Sequence, residues 1–196
     1  MAENVIASGY SIREAVESDA EGSAYVYVKS WQTSYVGIIE QSYLDHISYD
    51  QRLQLRKKIL QLKDTLQLVV TFGGQIVGFA DAGPLRPKPY NEQLSLFKDQ
   101  DVKRGEIYAI YFLAEHQGKG LGKEFYQQCR RWFGLQDFQQ FITWGLADNV
   151  RAKCFYEREG GKIIGEVTVH IGDKSYQEHC YLFETYDDHS DLRMQR

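Results

Sequence analysis

A glycine-rich segment, Gln117-Gly118-Lys119-Gly120-Leu121-Gly122, joins a strongly apolar run to a long helical pattern. Glycines at such a junction let backbone N–H groups approach an anion closely, and the first turn of the helix adds unpaired donors and a partial positive charge. The segment therefore favours the binding of a phosphate or pyrophosphate group. Three glycines alone do not identify the ligand, so the neighbouring residues have to decide between the known phosphate-binding patterns.

Two common phosphate-binding patterns are disfavoured by single residues. The dinucleotide pattern GxGxxG, started at Gly118, requires glycine at the position of Lys123. The Walker pattern GxxxxGK requires serine or threonine after its lysine, whereas Lys119 is followed by Gly120. A nucleotide-binding protein of either class is therefore disfavoured.

The pattern that does fit is Q/R-x-x-G-x-G/A, which is met by Gln117, Gly120 and Gly122. A second segment, Asn149-Val-Arg-Ala-Lys-Cys-Phe-Tyr156, is similar to the pattern N-x-x-A-x-x-F-Y. Both patterns are those of the GCN5-related N-acetyltransferase (GNAT) superfamily, and they occur here in the order found in that family. The resemblance implies an enzyme that moves the acetyl group of acetyl-CoA directly to a primary amine of a small molecule, peptide or protein.

A third segment, formed by Trp31, Tyr35 and Gly37, resembles the W-x-x-x-Y-x-G segment of bacterial family members. The two aromatic rings are candidates to line the acceptor pocket, because a flat ring can pack against an amine or its alkyl stem. The alternative is that both rings are core residues. We expect the acceptor to bind between this segment and residues 83–105, a long loop that contains all three prolines.

The resemblance also implies where acetyl-CoA binds, namely in a V-shaped gap beside the strand that leads into the glycine turn. Backbone groups of that strand would pair with the pantetheine arm, as an added strand does. Amides of the glycine turn would hold the pyrophosphate, and Asn149 would contact pantetheine, cap its helix, or both. The implied cofactor-binding residues are Phe112, Leu113, Ala114, Gln117, Gly118, Lys119, Gly120, Leu121, Gly122, Asn149 and Tyr156.

Two residues are implied to carry the chemistry. Glu106, eleven residues before Gln117, matches the general-base glutamate of the family. An alkyl amine with a pKa of about 10.4 arrives protonated and must lose a proton before it attacks. For Glu106 a solvated strand end is the alternative reading, with a water chain then acting as base. Tyr156 is expected to protonate the leaving CoA thiolate, and its alternative reading is a core aromatic.

Other reactive side chains suggest no competing chemistry. Cys154 could carry a covalent acetyl group, but no histidine lies near it in sequence, and the family transfers acetyl directly. No His/Cys/Asp cluster has the spacing of metal ligands, so no metal is expected. The alternative function is a non-catalytic module that binds or senses acyl-CoA. The presence of both Glu106 and Tyr156 favours the enzyme.

The motifs are expected to be held by a mixed sheet. Gly73-Gly74 and Gly172-Asp173 each separate two β-rich runs and predict hairpins. A doubly wound fold would alternate strands and helices throughout, which this chain does not. We predict a mixed α+β fold of GNAT type, with a mostly antiparallel sheet of about seven strands and about four helices. The predicted strands are residues 10–16, 66–72, 75–81, 106–113, 141–147, 163–171 and 174–184, and the predicted helices are 20–34, 41–62, 118–133 and one that opens at Asn149.

Length and composition fit one globular domain. The chain has 196 residues, of which 43% are hydrophobic, so it can bury a full core. We predict a single domain over residues 1–185 and a polar tail over 186–196. No apolar run approaches the roughly 20 residues that span a bilayer, and no secretory signal is visible, which predicts a cytoplasmic protein. A net charge of −4 argues against nucleic acid or membrane as partner, and a homodimer is one expectation from the family.

Overall fold

The computed structural model describes residues 9–87, 94 and 101–185. Within these residues the chain forms seven strands, five α-helices and two short 3₁₀ turns. The elements in chain order are β1 (Tyr10–Glu14), α1 (Ala20–Ser34), α2 (Gln41–Asp45), α3 (Tyr49–Ile59), β2 (Leu66–Phe72), β3 (Gln75–Pro84), β4 (Arg104–Phe112), α4 (Leu121–Leu135), β5 (Gln140–Leu146), α5 (Val150–Arg158), β6 (Lys162–Ile171) and β7 (Lys174–Glu184). The predicted mixed fold with a mostly antiparallel seven-stranded sheet is confirmed. Most of the predicted loop, and the predicted tail over 186–196, lie outside the described residues.

One parallel pair of strands decides where the functional site lies. The sheet order is β1-β2-β3-β4-β5-β7-β6, and only β4 and β5 run parallel among the described strands. These two strands pair from Arg104↔Gln140 to Ile107↔Thr143 and no further. Strand β4 continues to Phe112 without β5, while β5 stays paired with β7. The sheet therefore splits into a V that opens after Ile107 and Thr143.

The long helix after the glycine turn packs on the sheet as its apolar periodicity predicts. Its buried residues recur at helical spacing and meet aromatic rings from β5 and β7. The ring centroids of Phe133 and Phe141 lie 4.8 Å apart, and those of Phe141 and Phe183 lie 5.0 Å apart. Each such buried side chain contributes about 1.5–3 kcal/mol by area. This packing fixes the start of α4, and with it the glycine turn, against the sheet.

The single helix predicted over residues 41–62 is wrong. The chain forms α2 and α3 instead, because Ser48 caps a new helix: its Oγ accepts a hydrogen bond from the amide of Gln51 at 3.3 Å. This break also raises the number of helices from the expected four to five. The residue of α3 that is buried is Arg56, not one of the apolar residues that the periodicity had placed on the inner face.

Arg56 forms a buried ion pair with Asp81 of β3, and their side chains are only 4% and 6% exposed. The Arg56 guanidinium also stacks 4.3 Å from the centre of the Phe79 ring. Among the described residues, Arg56 Nε and Nη2 and Asp81 Oδ1 have no hydrogen-bond partner. The two charges therefore depend mainly on each other, and removing one leaves the other buried without compensation.

We expect Asp81→Ala to lower the free energy of unfolding by about 3–5 kcal/mol, the usual cost of leaving one buried charge unpaired. Urea unfolding measures this change. The double variant Arg56→Met/Asp81→Leu should recover most of the loss, because it removes both charges and keeps the volume. The pair of Glu166 and His179, in which the Glu166 side chain is 53% exposed, gives a control, since Glu166→Ala should cost less than about 1 kcal/mol. If Glu166→Ala lowered the free energy of unfolding as much as Asp81→Ala does, this account would be contradicted.

In the described ranges, no helix is long and apolar enough to cross a membrane.

Candidate active site

The V in the sheet opens into a cleft of about 630 Å³. Its walls come from the end of α1, the last residues of β4, the glycine turn and α5. Most of the predicted cofactor-binding residues lie together in this cleft: Phe112, Ala114, Gln117, Gly118, Gly120, Leu121, Gly122, Asn149 and Tyr156. Leu113 and Lys119 do not line it, and neither do Glu106, Trp31 and Tyr35.

The three glycines of the turn have two different structural roles. Gly118 and Gly120 have φ angles of 75° and 82°, in the left-handed region that glycine adopts without strain. Gly122 lies within the first turn of α4 and has no such angle. A Cβ added at Gly122 would lie 3.6 Å from the ring of Phe155, which is ordinary contact. Gly118 and Gly120 therefore allow the backbone conformation of the turn, whereas Gly122, which has no side chain, leaves space in the cleft beside α4.

The start of α4 presents hydrogen-bond donors to the cleft. The first intrahelical hydrogen bond of α4 runs from the amide of Glu124 to the carbonyl of Gly120, at 3.1 Å. By helix geometry the amides of Leu121, Gly122 and Lys123 precede that bond and have no acceptor within the helix. These amides and the helix dipole favour an anion at this position.

Basic side chains that the sequence analysis did not identify also line the cleft, namely Lys123, Arg151 and Arg158. They lie within or next to the two recognised motifs, at positions that the motif patterns leave open. Their positive charges complement a phosphate ligand. The signal that could have identified them is their place in the sequence: Lys123 directly follows the glycine turn, and Arg151 and Arg158 lie within and just after the second motif.

The side chain of Gln117 connects three walls of the cleft. Its Nε2 donates to the Phe112 carbonyl at 3.1 Å and to Ser34 Oγ at 3.4 Å, and its Oε1 accepts from Arg151 Nη1. The Phe112 carbonyl also accepts from Ser30 Oγ at 2.8 Å. Gln117 therefore ties β4, α1 and α5 together.

The backbone of Leu113 does not face the cleft. Its N–H donates to the Val77 carbonyl at 2.9 Å, and its carbonyl accepts from the amide of His116 at 3.0 Å. The amide of Leu113 is thus used within the sheet, and this geometry argues against the predicted pairing of Leu113 with pantetheine. Lys119 also points elsewhere, with its Nζ 6.0 Å from the centre of the Tyr10 ring.

Tyr156 lies at the vertex of the V. Its helix begins at Asn149, whose Oδ1 accepts from the amide of Ala152 at 3.1 Å, so Asn149 is an N-cap as predicted. The Tyr156 ring packs 5.0 Å from the ring of Tyr181 and directly over Gly145, where a Cβ would lie 3.3 Å from it. Burial raises the pKa of Tyr156 to about 12, although a hydrogen bond with Thr143 opposes the shift. The phenol is therefore protonated at neutral pH.

Glu106 is buried on β4 and is held by an arginine. Its Oε2 accepts from the backbone amide of Arg86 at 3.2 Å and from Arg86 Nε at 3.1 Å, and its Oε1 accepts from Arg86 Nη2. The Glu106 side chain is 1% exposed. Arg86 belongs to residues 83–105, which the sequence predicts to form a long loop. The carboxylate that was predicted as the base is thus engaged by a guanidinium at both oxygens.

Trp31 and Tyr35 lie together on the opposite face of the sheet from the cleft. Their ring centroids are 4.9 Å apart, and Trp31 also stacks on Tyr27 at 5.4 Å. Tyr111 of β4 belongs to this group, with its ring 5.3 Å from that of Tyr27. Because neighbours along a strand point to opposite faces, Tyr111 lies on this face and Phe112 on the cleft face. Burial raises the pKa values of Tyr35 and Tyr111.

No group of three or more metal-ligating side chains is present among residues 9–87, 94 and 101–185.

Comparison with known proteins identifies the family. Residues 25–161, more than half of the chain, match the model of the acetyltransferase (GNAT) family. The chain is 30% identical over 168 residues to the protein named Uncharacterized N-acetyltransferase YuaI of Bacillus subtilis (strain 168), covering 86% of this chain and 89% of that protein. The protein therefore belongs to the GNAT family of acetyltransferases.

Solved structures share the fold at lower sequence identity. PaiA N-acetyltransferase from Thermoplasma acidophilum, in complex with coenzyme A, gives a TM-score of 0.63 at 18% identity. The match covers 90% of this chain and 99% of the PaiA chain. YncA from Salmonella typhimurium, with its cofactor acetyl-CoA, gives a TM-score of 0.66 at 17% identity, covering 92% and 96%. These likenesses support the same overall fold for the three proteins.

Proposed function

We propose that the protein transfers the acetyl group of acetyl-CoA directly to a primary amine. The observation that carries this proposal is the position of one phenol: Tyr156 lies at the vertex of the V, in the same cleft as the glycine turn. A cleft with anion-binding amides at one end and a buried proton donor at the other suits a phosphate-bearing thioester. Family membership and the coenzyme A and acetyl-CoA complexes of PaiA and YncA support the same ligand.

The residues of the cleft fit such a ligand. The amides at the start of α4 and the side chains of Lys123 and Arg151 would hold the pyrophosphate. The backbone of Phe112 and Ala114 would lie along the pantetheine arm, with Asn149 at the other wall. Gly122 would let the ligand approach the helix backbone closely. Acetyl-CoA, when bound, supplies the activated acetyl group.

Tyr156 would act as the proton donor for the leaving thiolate. Its pKa, raised by burial to about 12, keeps the proton on the phenol until the C–S bond breaks. The Tyr156 ring packs against the ring of Tyr181 and over Gly145, and these contacts restrict where its hydroxyl can lie. The role of base is less suited to Glu106, because Arg86 occupies both of its oxygens. We therefore favour a different proton acceptor for the amine.

Thiol release from acetyl-CoA in the presence of a panel of primary amines tests the proposal. We expect release that depends on the amine and that saturates with both substrates. Tight binding of acetyl-CoA without release for any amine in the panel would instead identify a non-catalytic acyl-CoA-binding module. Preferential binding of ATP or NAD over acetyl-CoA would contradict the assignment of the cleft.

We also propose that the acceptor reaches the V from the face of Trp31 and Tyr35, opposite the cleft. Trp31→Ala should then raise the KM for the amine by about 2- to 30-fold, because a cation–π contact is worth about 0.5–2 kcal/mol. The KM for acetyl-CoA should stay nearly unchanged. Trp132→Ala, on α4 and away from this face, is the matched control and should change neither constant. An unchanged amine KM in Trp31→Ala would show that Trp31 is only a core residue.

A further inference from the structure

Two arginines on one face of α3 have different partners. Arg52 and Arg56 are four residues apart, so they lie next to each other on the helix surface. The Cζ atom of Arg56 lies 4.3 Å from the centre of the Phe79 ring, and its guanidinium pairs with Asp81. The Cζ atom of Arg52 lies 4.0 Å from the centre of the Tyr27 ring. Within the residues that the structure describes, however, no carboxylate pairs with Arg52.

The guanidinium of Arg52 is suited to a carboxylate that the protein does not supply. Arg52 is half-buried, so its charge has lost part of its hydration. Such a loss is costly unless an opposite charge or hydrogen-bond acceptors compensate it. The Tyr27 ring covers one face of the guanidinium, and stacking of this kind leaves the N–H edge available. That edge matches the two oxygens of a carboxylate.

The ring beneath Arg52 belongs to the aromatic group that contains Trp31. Tyr27 stacks on Trp31 with ring centroids 5.4 Å apart, and it meets the Tyr111 ring edge-on at 5.3 Å. Tyr111 lies in the part of β4 beyond Ile107, where β4 has separated from β5 and forms one arm of the V. One ring, that of Tyr27, therefore separates Arg52 from this arm, on the side from which we propose that the acceptor enters.

The charge of Arg52 reaches the phenols of this group. Burial raises the pKa values of Tyr27 and Tyr111, and the positive charge of Arg52 opposes both shifts. Tyr111 in turn acts electrostatically on Tyr156, the proposed proton donor. Arg52 is thus within electrostatic range of the arm of the V, on the face opposite the cleft.

A shallow depression of about 330 Å³ is a weaker candidate for binding an ionic acceptor. It is lined by residues 37–41, Lys174 and Tyr176. Two charges at this depression, Lys174 and Glu40, pair with each other at 2.9 Å. They already compensate each other, whereas Arg52 has no such partner in the described part of the chain.

We propose that Arg52 binds a carboxylate of the acceptor, so that the acceptor is a primary amine with a free carboxylate, as in an amino acid. This inference rests on the proposed acetyl transfer and names the class of its acceptor. The carboxylate binds the edge of the Arg52 guanidinium, the carbon stem packs along Tyr27 and Trp31, and the amine points towards the V. Arg52 touches no reacting atom in this arrangement. Its effect is therefore expected on the KM for the acceptor rather than on kcat.

The test uses pairs of amines that differ in the carboxylate: leucine and isoamylamine, phenylalanine and phenethylamine, γ-aminobutyrate and propylamine. In at least one pair, wild-type kcat/KM should be at least about tenfold higher for the carboxylated amine, because a bidentate, charge-assisted contact is lost without it. Arg52→Gln should remove this preference by raising the KM of the carboxylated amine. Lys57→Gln, which removes one exposed charge from the same helix, is the matched control and should keep the preference.

Three kinetic results would overturn the inference. The first is a wild-type protein that favours the carboxylated member of no pair. The second is an equal loss of kcat/KM for both members of a pair in Arg52→Gln, because a merely structural role of Arg52 would affect both alike. The third is faster acetylation of phosphoethanolamine than of any carboxylated amine, which would assign Arg52 to a phosphate.

A binding measurement separates this inference from the proposed function. The N-acetyl forms of the carboxylated amines keep the carboxylate and need no transfer, and their amides lack the charge. With CoA present, calorimetry should show that the wild type binds an acid at least about tenfold more tightly than its amide, and that Arg52→Gln does not. Equal binding of acid and amide by the wild type would overturn the inference. Selective binding of the acid without acetylation of any amine would instead defeat the proposed function.

Discussion

Gly122→Val is expected to weaken acetyl-CoA binding at least about 100-fold and to leave the fold intact. The added methyl groups would stand where the ligand approaches the first amides of α4, and a hydrogen bond to a charged group is worth about 1.5–3 kcal/mol. Loss of two such bonds therefore reduces affinity by about 100-fold or more. The protein itself has room for a Cβ, since the nearest atom, on the Phe155 ring, is 3.6 Å away. Titration calorimetry measures the affinity.

Gly122→Ala is the matched control. Its single methyl group should change the affinity by no more than about threefold, because the family pattern accepts alanine at this position. Gly120→Val is a poorer test, since Gly120 has a φ of 82° and any side chain there strains the turn before a ligand arrives. Wild-type affinity in Gly122→Val, with an unchanged thermal transition, would contradict the assignment of the glycine turn.

Tyr156→Phe is expected to lower kcat by about 100- to 10,000-fold, the range for loss of a general acid. The substitution keeps the ring, and with it the packing on Tyr181 and Gly145, so the Kd for acetyl-CoA should hardly change. Because burial raises the pKa of Tyr156 to about 12, ionisation of this phenol should not reduce the wild-type rate below about pH 11. Steady-state kinetics across pH measure both effects.

Two variants control for loss of a hydroxyl and for a covalent route. The Tyr181 hydroxyl is buried and makes no hydrogen bond among the described residues, so Tyr181→Phe should keep kcat within about twofold of wild type. Cys154 lines the cleft and is exposed, and Cys154→Ser should also keep the rate if transfer is direct. A loss in Cys154→Ser equal to that in Tyr156→Phe, or acetyl trapped on the protein, would point to an acetyl-enzyme.

The fold was predictable wherever local pattern agrees with long-range packing. The apolar stripe of α4 and the turn at Gly172 predict their elements, because the same residues decide both local shape and burial. The predicted helix over 41–62 fails at Ser48, where a side-chain cap outweighs continued helical periodicity. The burial of Arg56 was hidden because its partner, Asp81, lies in another element and only the fold brings the two together.

The site was predictable where a motif fixes backbone geometry and less so where side chains meet from distant segments. The structure brings the glycine turn, Asn149 and Tyr156 into one cleft, as the motif order implies. The engagement of Glu106 by Arg86 was not visible, because Arg86 lies in a segment without periodicity.

Transfer of an isotope-labelled acetyl group from acetyl-CoA to an amine tests the central claim most directly. Wild-type protein and a panel of primary amines would be incubated with acetyl-CoA labelled in the acetyl group, and the products identified by mass spectrometry. The account predicts labelled amide and free CoA in equal amounts, no label on the protein, and a rate reduced in Tyr156→Phe. Bound acetyl-CoA that yields no labelled amide with any amine would contradict it.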